Sequence, residues 1–76
     1  MERRWLRSLR NEKELTLREL GDRIGMSEGN MANIEAGRRR ISGLDVSMLT
    51  KIATATGTRV SNLLEAEARW IGGQDG

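Results

Sequence analysis

TLRELGDRIGMSEGNMANIEAG, residues 16–37, reads as two short helices joined by a tight glycine turn, with a spacing that lays the second helix across the first. Thr16 followed three residues later by Glu19 is a capping box: the hydroxyl takes an orphan amide at the helix start while the carboxylate reaches back. Leu15 and Leu20 stand at the two positions of a hydrophobic staple, and Leu17, Leu20 and Ile24 recur at helical spacing. Gly25 then supplies the positive-φ residue on which helices commonly end. Ser27 is the next N-cap, Met26 and Met31 form a second staple around it, Met31 and Ile34 continue the buried stripe, and Gly37 closes the segment. Gly21 lies inside a helix, where glycine costs about 1 kcal/mol against alanine, so the spacing predicts close approach of the following helix at that point.

The rest of the 76 residues extends the same pattern. A first helix is predicted from about Glu2 to Lys13, with Trp5, Leu6 and Leu9 on the inner side and Arg3, Arg7 and Arg10 along a neighbouring stripe. After RRRISGL, residues 38–44, Asp45 is the expected cap of a fourth helix reaching about Thr56, with Leu44 and Leu49 as its staple, Val46, Leu49, Ile52 and Ala53 as its apolar set, and Gly57 at its end. A fifth helix starts near Val60 under a weak cap, Thr58 or Arg59, and carries Val60, Leu63 and Leu64 before the isolated Trp70 and Ile71. The expectation is one all-α domain of five helices over residues 1–71, with residues 72–76, GGQDG, as a frayed tail.

Composition narrows the function classes. The chain contains no cysteine, no histidine and no proline, and its formal net charge is +2. Disulfide staples and thiolate nucleophiles are excluded, and the commonest general base and transition-metal ligand is missing. The acids and lysines show no paired spacing that suggests catalysis or a metal cage, so neither an enzyme nor a metal or cofactor site is expected. No apolar run is long enough for a membrane span and no stretch reads as a signal peptide, so a cytoplasmic, soluble domain is expected. The excess of base lies before residue 45 and flanks the central motif, and arginine greatly outnumbers lysine, which suits bidentate phosphate recognition.

The layout of residues 16–37 is that of a helix-turn-helix. From Leu15 to Leu64, about two-thirds of the chain, the sequence resembles the phage-repressor and Cro family of helix-turn-helix DNA-binding domains, often called lambda-repressor-like. The resemblance rests on Leu15-Thr16, Glu19-Leu20, Ile24-Gly25, Ser27, Ile34-Glu35, Gly37, Leu49, Ile52-Ala53, Gly57 and Leu63-Leu64 in that order. The chain departs from the family at two places: Leu17 stands where many members carry a phosphate-binding glutamine, and Glu14 where many carry a glycine, a change that is unfavourable if the backbone there needs positive φ.

In a helix-turn-helix the second helix enters the major groove with its N-terminal half against base edges. With Met31 and Ile34 committed to the core, Glu28, Gly29, Ala32 and Asn33 remain on the outer face of that helix and Asn30 at its edge. The resemblance implies base contacts from Glu28, Gly29, Ala32 and Asn33: Asn33 matches adenine N6 and N7, Glu28 can accept from cytosine N4, and Ala32 can touch a thymine methyl. It implies phosphate contacts from Arg38, Arg39 and Arg40, from Arg18 and Asn30, and at the helix starts capped by Thr16 and Ser27. It also implies a structural ion pair between Arg10 and Glu35.

A single such motif reads only a few base pairs, so a homodimer on two-fold double-stranded DNA is expected, joined through Val60, Leu64, Trp70 and Ile71. The function expected is that of a dimeric transcription regulator, a repressor acting on a bacterial or phage operator at the nucleoid, with no small-molecule ligand. The alternative is a protein-interaction module, an antitoxin-like or regulatory partner that keeps the scaffold; the sparse chemistry of Glu28, Gly29 and Ala32 is its support.

Overall fold

The computed structural model describes residues 1–39, 41 and 46–74. These form α1 (Arg4–Glu12), α2 (Leu17–Ile24), α3 (Glu28–Glu35), α4 (Val46–Thr56) and α5 (Val60–Gln74), with no strand among the described residues. Local chemistry sets the boundaries. Thr16 Oγ1 accepts from the Glu19 amide and Glu19 Oε1 from the Thr16 amide, each at 3.1 Å, which completes the capping box of α2. Ser27 Oγ accepts from the Asn30 amide at 3.2 Å and caps α3. Both staples are buried pairs, Leu15 with Leu20 and Met26 with Met31. For α4, the predicted cap Asp45 and the staple residue Leu44 lie outside the described residues.

Gly21 is where α2 and α3 meet. A Cβ built on it would collide with the Met26 carbonyl oxygen and stand 3.3 Å from Met31 Cγ, so the turn and the following helix can close only on a residue with no side chain. This contact sets α3 against α2, while α1 packs on α3 and α4, and α4 on α2 and α5. Between them lies a core of Leu6, Leu20, Met31, Ile34, Ile52 and Leu63, all inaccessible to solvent. Trp5 and Leu9 lie half-buried at its edge. Val46, read with the apolar stripe of α4, is 75% exposed at the first residue of that helix. The fifth helix continues through Gly72 and Gly73 to Gln74, past the position where a frayed tail was predicted.

The largest departure from the sequence reading concerns Arg3. Predicted on a stripe beside the core, it is completely buried as the N-cap of α1. Its guanidinium makes a two-pronged ion pair with Glu67 on α5: Nε donates to Oε1 and Nη2 to Oε2, each at 2.8 Å. Nη1 donates to the Ile34 carbonyl, and the Arg3 amide to the Glu35 carbonyl at 2.8 Å. One face of the guanidinium lies 4.2 Å from the centre of the Trp70 ring, whose Nε1 donates to the Glu2 carbonyl at 2.9 Å. Removing either charge alone would leave the other stranded in the core, at a cost of about 3–5 kcal/mol.

The end of α1 carries strain. Leu15 N–H donates to the Arg10 carbonyl and Glu14 N–H to the Asn11 carbonyl, at 3.1 and 2.9 Å, the paired bonds of a Schellman ending with Glu14 in the left-handed position. The ends of α3 and α4 place Gly37 and Gly57 at the equivalent point; Glu14 does so with a side chain, at φ 53°. The departure from the family glycine therefore falls on a residue whose backbone does need positive φ. Because Glu14 is exposed, Glu14→Gly should stabilise the fold by roughly 0.5–1 kcal/mol, the left-handed penalty offset in part by the greater entropy of glycine in the unfolded chain. A rise of several degrees in thermal midpoint would confirm it, and a fall would refute it.

Candidate nucleic-acid interface

The inner face of α3 is fixed by Met31, Ile34 and Glu35, all buried, which leaves a defined outer face. Glu28, Gly29 and Asn30 are exposed on its first turn, and Ala32 and Asn33 are half-buried behind them. Among the described residues, nothing beyond the neighbouring backbone of α3 lies within 4 Å of where a Cβ on Gly29 would stand, so packing does not demand glycine there. Glu28, in the first turn, places negative charge where the helix dipole favours it.

Beyond α3 the chain turns at Gly37, whose position fits between the Met1 carbonyl oxygen and the Trp70 ring. Arg38 and Arg39 follow it, both exposed. Arg38 Nη1 donates to Asn33 Oδ1 at 3.3 Å, so this arginine leans back along α3 onto the asparagine predicted to contact a base. Arg40 lies outside the described residues. At the start of α2, Arg18 is exposed, while the hydroxyls of Thr16 and Ser27 are already occupied as caps. Leu17, in place of the family glutamine, is half-buried against the core.

Glu35, at the end of α3, gathers two arginines of α1. Arg10 Nε and Nη2 each donate to its carboxylate at 2.9 Å, and Arg7 Nε donates to it at 2.9 Å. Arg10 Nη1 also donates to the Leu15 carbonyl at 2.7 Å, which ties the turn before α2 to the same cluster. Arg7 reaches on to Glu2, with Nη2 2.9 Å from Oε1. Burial of Glu35 raises its pKa, but the hydrogen bonds and charges of Arg10 and Arg7 outweigh this and hold the carboxyl below its ordinary value. Arg10 is pushed further toward its charged form by the hydrogen bond to Glu35.

Of the residues predicted for a partner surface, Leu64 and Ile71 are exposed on α5, at 52% and 37%. The other two are half-buried, with contacts inside the chain. Val60 packs against the core, and Trp70 is occupied by Arg3 and by the Glu2 carbonyl. Arg3 and Glu67 were not singled out from the sequence as a pair. The available signal was register: Arg3 precedes Leu6 by one helical step, and Glu67 stands between Leu63 and Trp70 on the inner stripe of α5. One charge at a core position at the N-cap of α1 and one of opposite sign on α5 are a pair waiting to be matched.

Comparison with known proteins places the chain. Residues 3–66 match the family described as a helix-turn-helix domain. The chain belongs to that family. Among solved structures, this helix-turn-helix domain is similar to the clp gene regulator ClgR from Corynebacterium glutamicum. One crystal structure of ClgR is 31% identical with a TM-score of 0.73, covering 92% of this chain and 71% of that one. A second is 33% identical with a TM-score of 0.65, covering 83% of this chain and 78% of that one. No curated protein matches at a significant level. The five-helix arrangement and the motif are those of the lambda-repressor-like kind, a class of DNA-binding transcription regulators.

The cluster at Glu35 predicts acid sensitivity. Its carboxyl ionises more readily folded than unfolded, so below the ordinary value of 4.5 the unfolded chain binds protons first. Stability present above that pH is then lost as the pH falls through the lowered folded value. Thermal midpoints measured downward from neutral pH should be level until about this point and then decline. The decline should be shallower in Glu35→Gln; identical acid limbs would show that Glu35 is not the group responsible.

Proposed function

We propose that this helix-turn-helix domain is a homodimeric repressor that binds a two-fold operator with the outer face of α3 in the major groove. The observation that carries this reading is the contrast between the two sides of α3: one locked into the core through Met31, Ile34 and Glu35, the other bare and followed directly by exposed Arg38 and Arg39. Asn33 and Glu28 supply base contacts, with Ala32 and Gly29 allowing close approach. Arg38, Arg39 and Arg18, with Arg40 and Asn30, supply phosphate contacts, helped by the amide ends of α2 and α3 at Thr16 and Ser27. Leu64 and Ile71, two turns apart on one face of α5 with exposed Ala68 between them, form the surface that joins two copies. The similarity to ClgR, by its name a gene regulator, supports a regulatory role in the cytoplasm, at the nucleoid. The second reading, a protein-interaction module, draws on Gly29 and Ala32, which carry no polar group for a base edge.

Selection from a random duplex library tests both readings. An inverted repeat with half-sites about 10 base pairs apart should be enriched, and Asn33→Ala should lose preference at one position of each half-site. Leu64→Glu should yield monomers in sedimentation and bind the selected repeat no better than a single half-site. If no sequence is enriched and all duplexes bind equally weakly, the protein-interaction reading replaces this one.

Gly29 offers an independent check, because the protein itself leaves room for a side chain there. Gly29→Ala should stabilise the free domain by about 1 kcal/mol through helix propensity. If α3 lies against DNA at this point, the same variant should bind the selected duplex more weakly; unchanged or tighter binding would remove Gly29 from the interface.

A further inference from the structure

The turn carrying Arg38 and Arg39 begins after Glu35 and reaches Ile41, and both of its ends are held by the same buried ion pair. At its start, the Ile34 carbonyl accepts from Arg3 Nη1 and the Glu35 carbonyl from the Arg3 amide. At its far end, the Ile41 amide donates to Glu67 Oε2 at 3.4 Å, the oxygen that also accepts from Arg3 Nη2. Trp70, one turn along α5, lies on Arg3 and against the position of Gly37, so the bend between the two anchored ends is held as well. Ile41 is itself fully buried, which fixes where the segment re-enters the core.

We propose that Glu67, through Arg3, is a positioning residue for DNA binding: it sets the distance between the end of α3 and Ile41, and thereby presents Arg38 and Arg39 to the phosphates of one strand. This rests on the DNA-binding reading above and adds to it a role for α5 in the grip on DNA. The backbone of α3 is held separately, by the close approach at Gly21 and by Met31. Loosening the clamp therefore weakens the hold on phosphate and leaves sequence preference intact. Arg3 and Glu67 touch no DNA and act only through the turn between them.

The test uses Arg3→Met combined with Glu67→Met, which removes both charges together and strands neither in the core, alongside Glu67→Asp, which keeps the charge but is one methylene shorter and so loosens its reach to Arg3 and the Ile41 amide. Each is compared with the wild type on the selected duplex, below its melting temperature and over a range of salt. For every phosphate no longer neutralised, the slope of log K against log salt should fall by about 0.9, equivalent to roughly eightfold in affinity near 0.1 M salt. The double variant should neutralise one or two fewer phosphates while enriching the same sequence. Should it fail to fold, Glu67→Asp carries the test with a smaller change in the same direction. A folded variant with wild-type slope and affinity overturns the proposal, as does weaker binding that merely tracks the unfolded fraction with no change in slope. Wild-type protein that binds no duplex in a salt-dependent way would instead overturn the DNA-binding reading, before any variant is made.

Discussion

A guanidinium and a carboxylate shut away from water, Arg3 and Glu67, determine how α5 meets the segment that leads into α1. Their geometry explains why burial is tolerated. Every nitrogen of the Arg3 side chain has an acceptor, and Glu67 accepts the Ile41 amide in addition. A buried pair of this kind adds little net stability compared with an apolar pair of similar volume; what it adds is direction, because its hydrogen bonds are satisfied in only one arrangement of α1, α3 and α5. The aromatic face of Trp70 over the guanidinium reinforces that arrangement from the α5 side.

The parts of the fold legible in the sequence were those written in local chemistry. The capping box at Thr16 and Glu19, the Ser27 cap, the two staples and the close approach at Gly21 each depend on residues a few positions apart, and each is present as read. What local pattern could not give was the direction in which a charged stripe faces. Arg3, Arg7 and Arg10 share one side of α1, but whether that side meets solvent or another helix depends on α3 and α5, which lie far along the chain. Trp70 shows the same dependence: past the periodic stripe of α5 it reads as a spare aromatic, whereas the segment before α1 gives its indole an acceptor in the Glu2 carbonyl.

On the proposed function, the outer face of α3 divides its work unevenly. Few of its side chains can discriminate bases, and one of the best, Asn33, is already engaged by Arg38. Charge contributed by arginines would then dominate the strength of association, with sequence choice added by a small number of contacts and by the doubling of those contacts in a two-fold complex. Such a distribution suits a regulator whose occupancy responds steeply to its own concentration and to ionic conditions.

Arg3 and Glu67 stand 64 positions apart, so during synthesis Arg3 leaves the ribosome long before its counter-charge exists. The entropy of closing so long a loop rises only slowly with its length, and the delay is one of order more than of energy. Until α5 has been made, the carbonyl at the end of α3 has only an arginine without its carboxylate to accept from, and the Ile41 amide lacks its acceptor. A chain aborted in translation, or clipped by a protease between the motif and Glu67, carries a complete helix-turn-helix sequence yet lacks the brace that shapes it. Under the positioning role proposed for Glu67, incomplete copies are thereby handicapped as competitors for the sites of the finished protein.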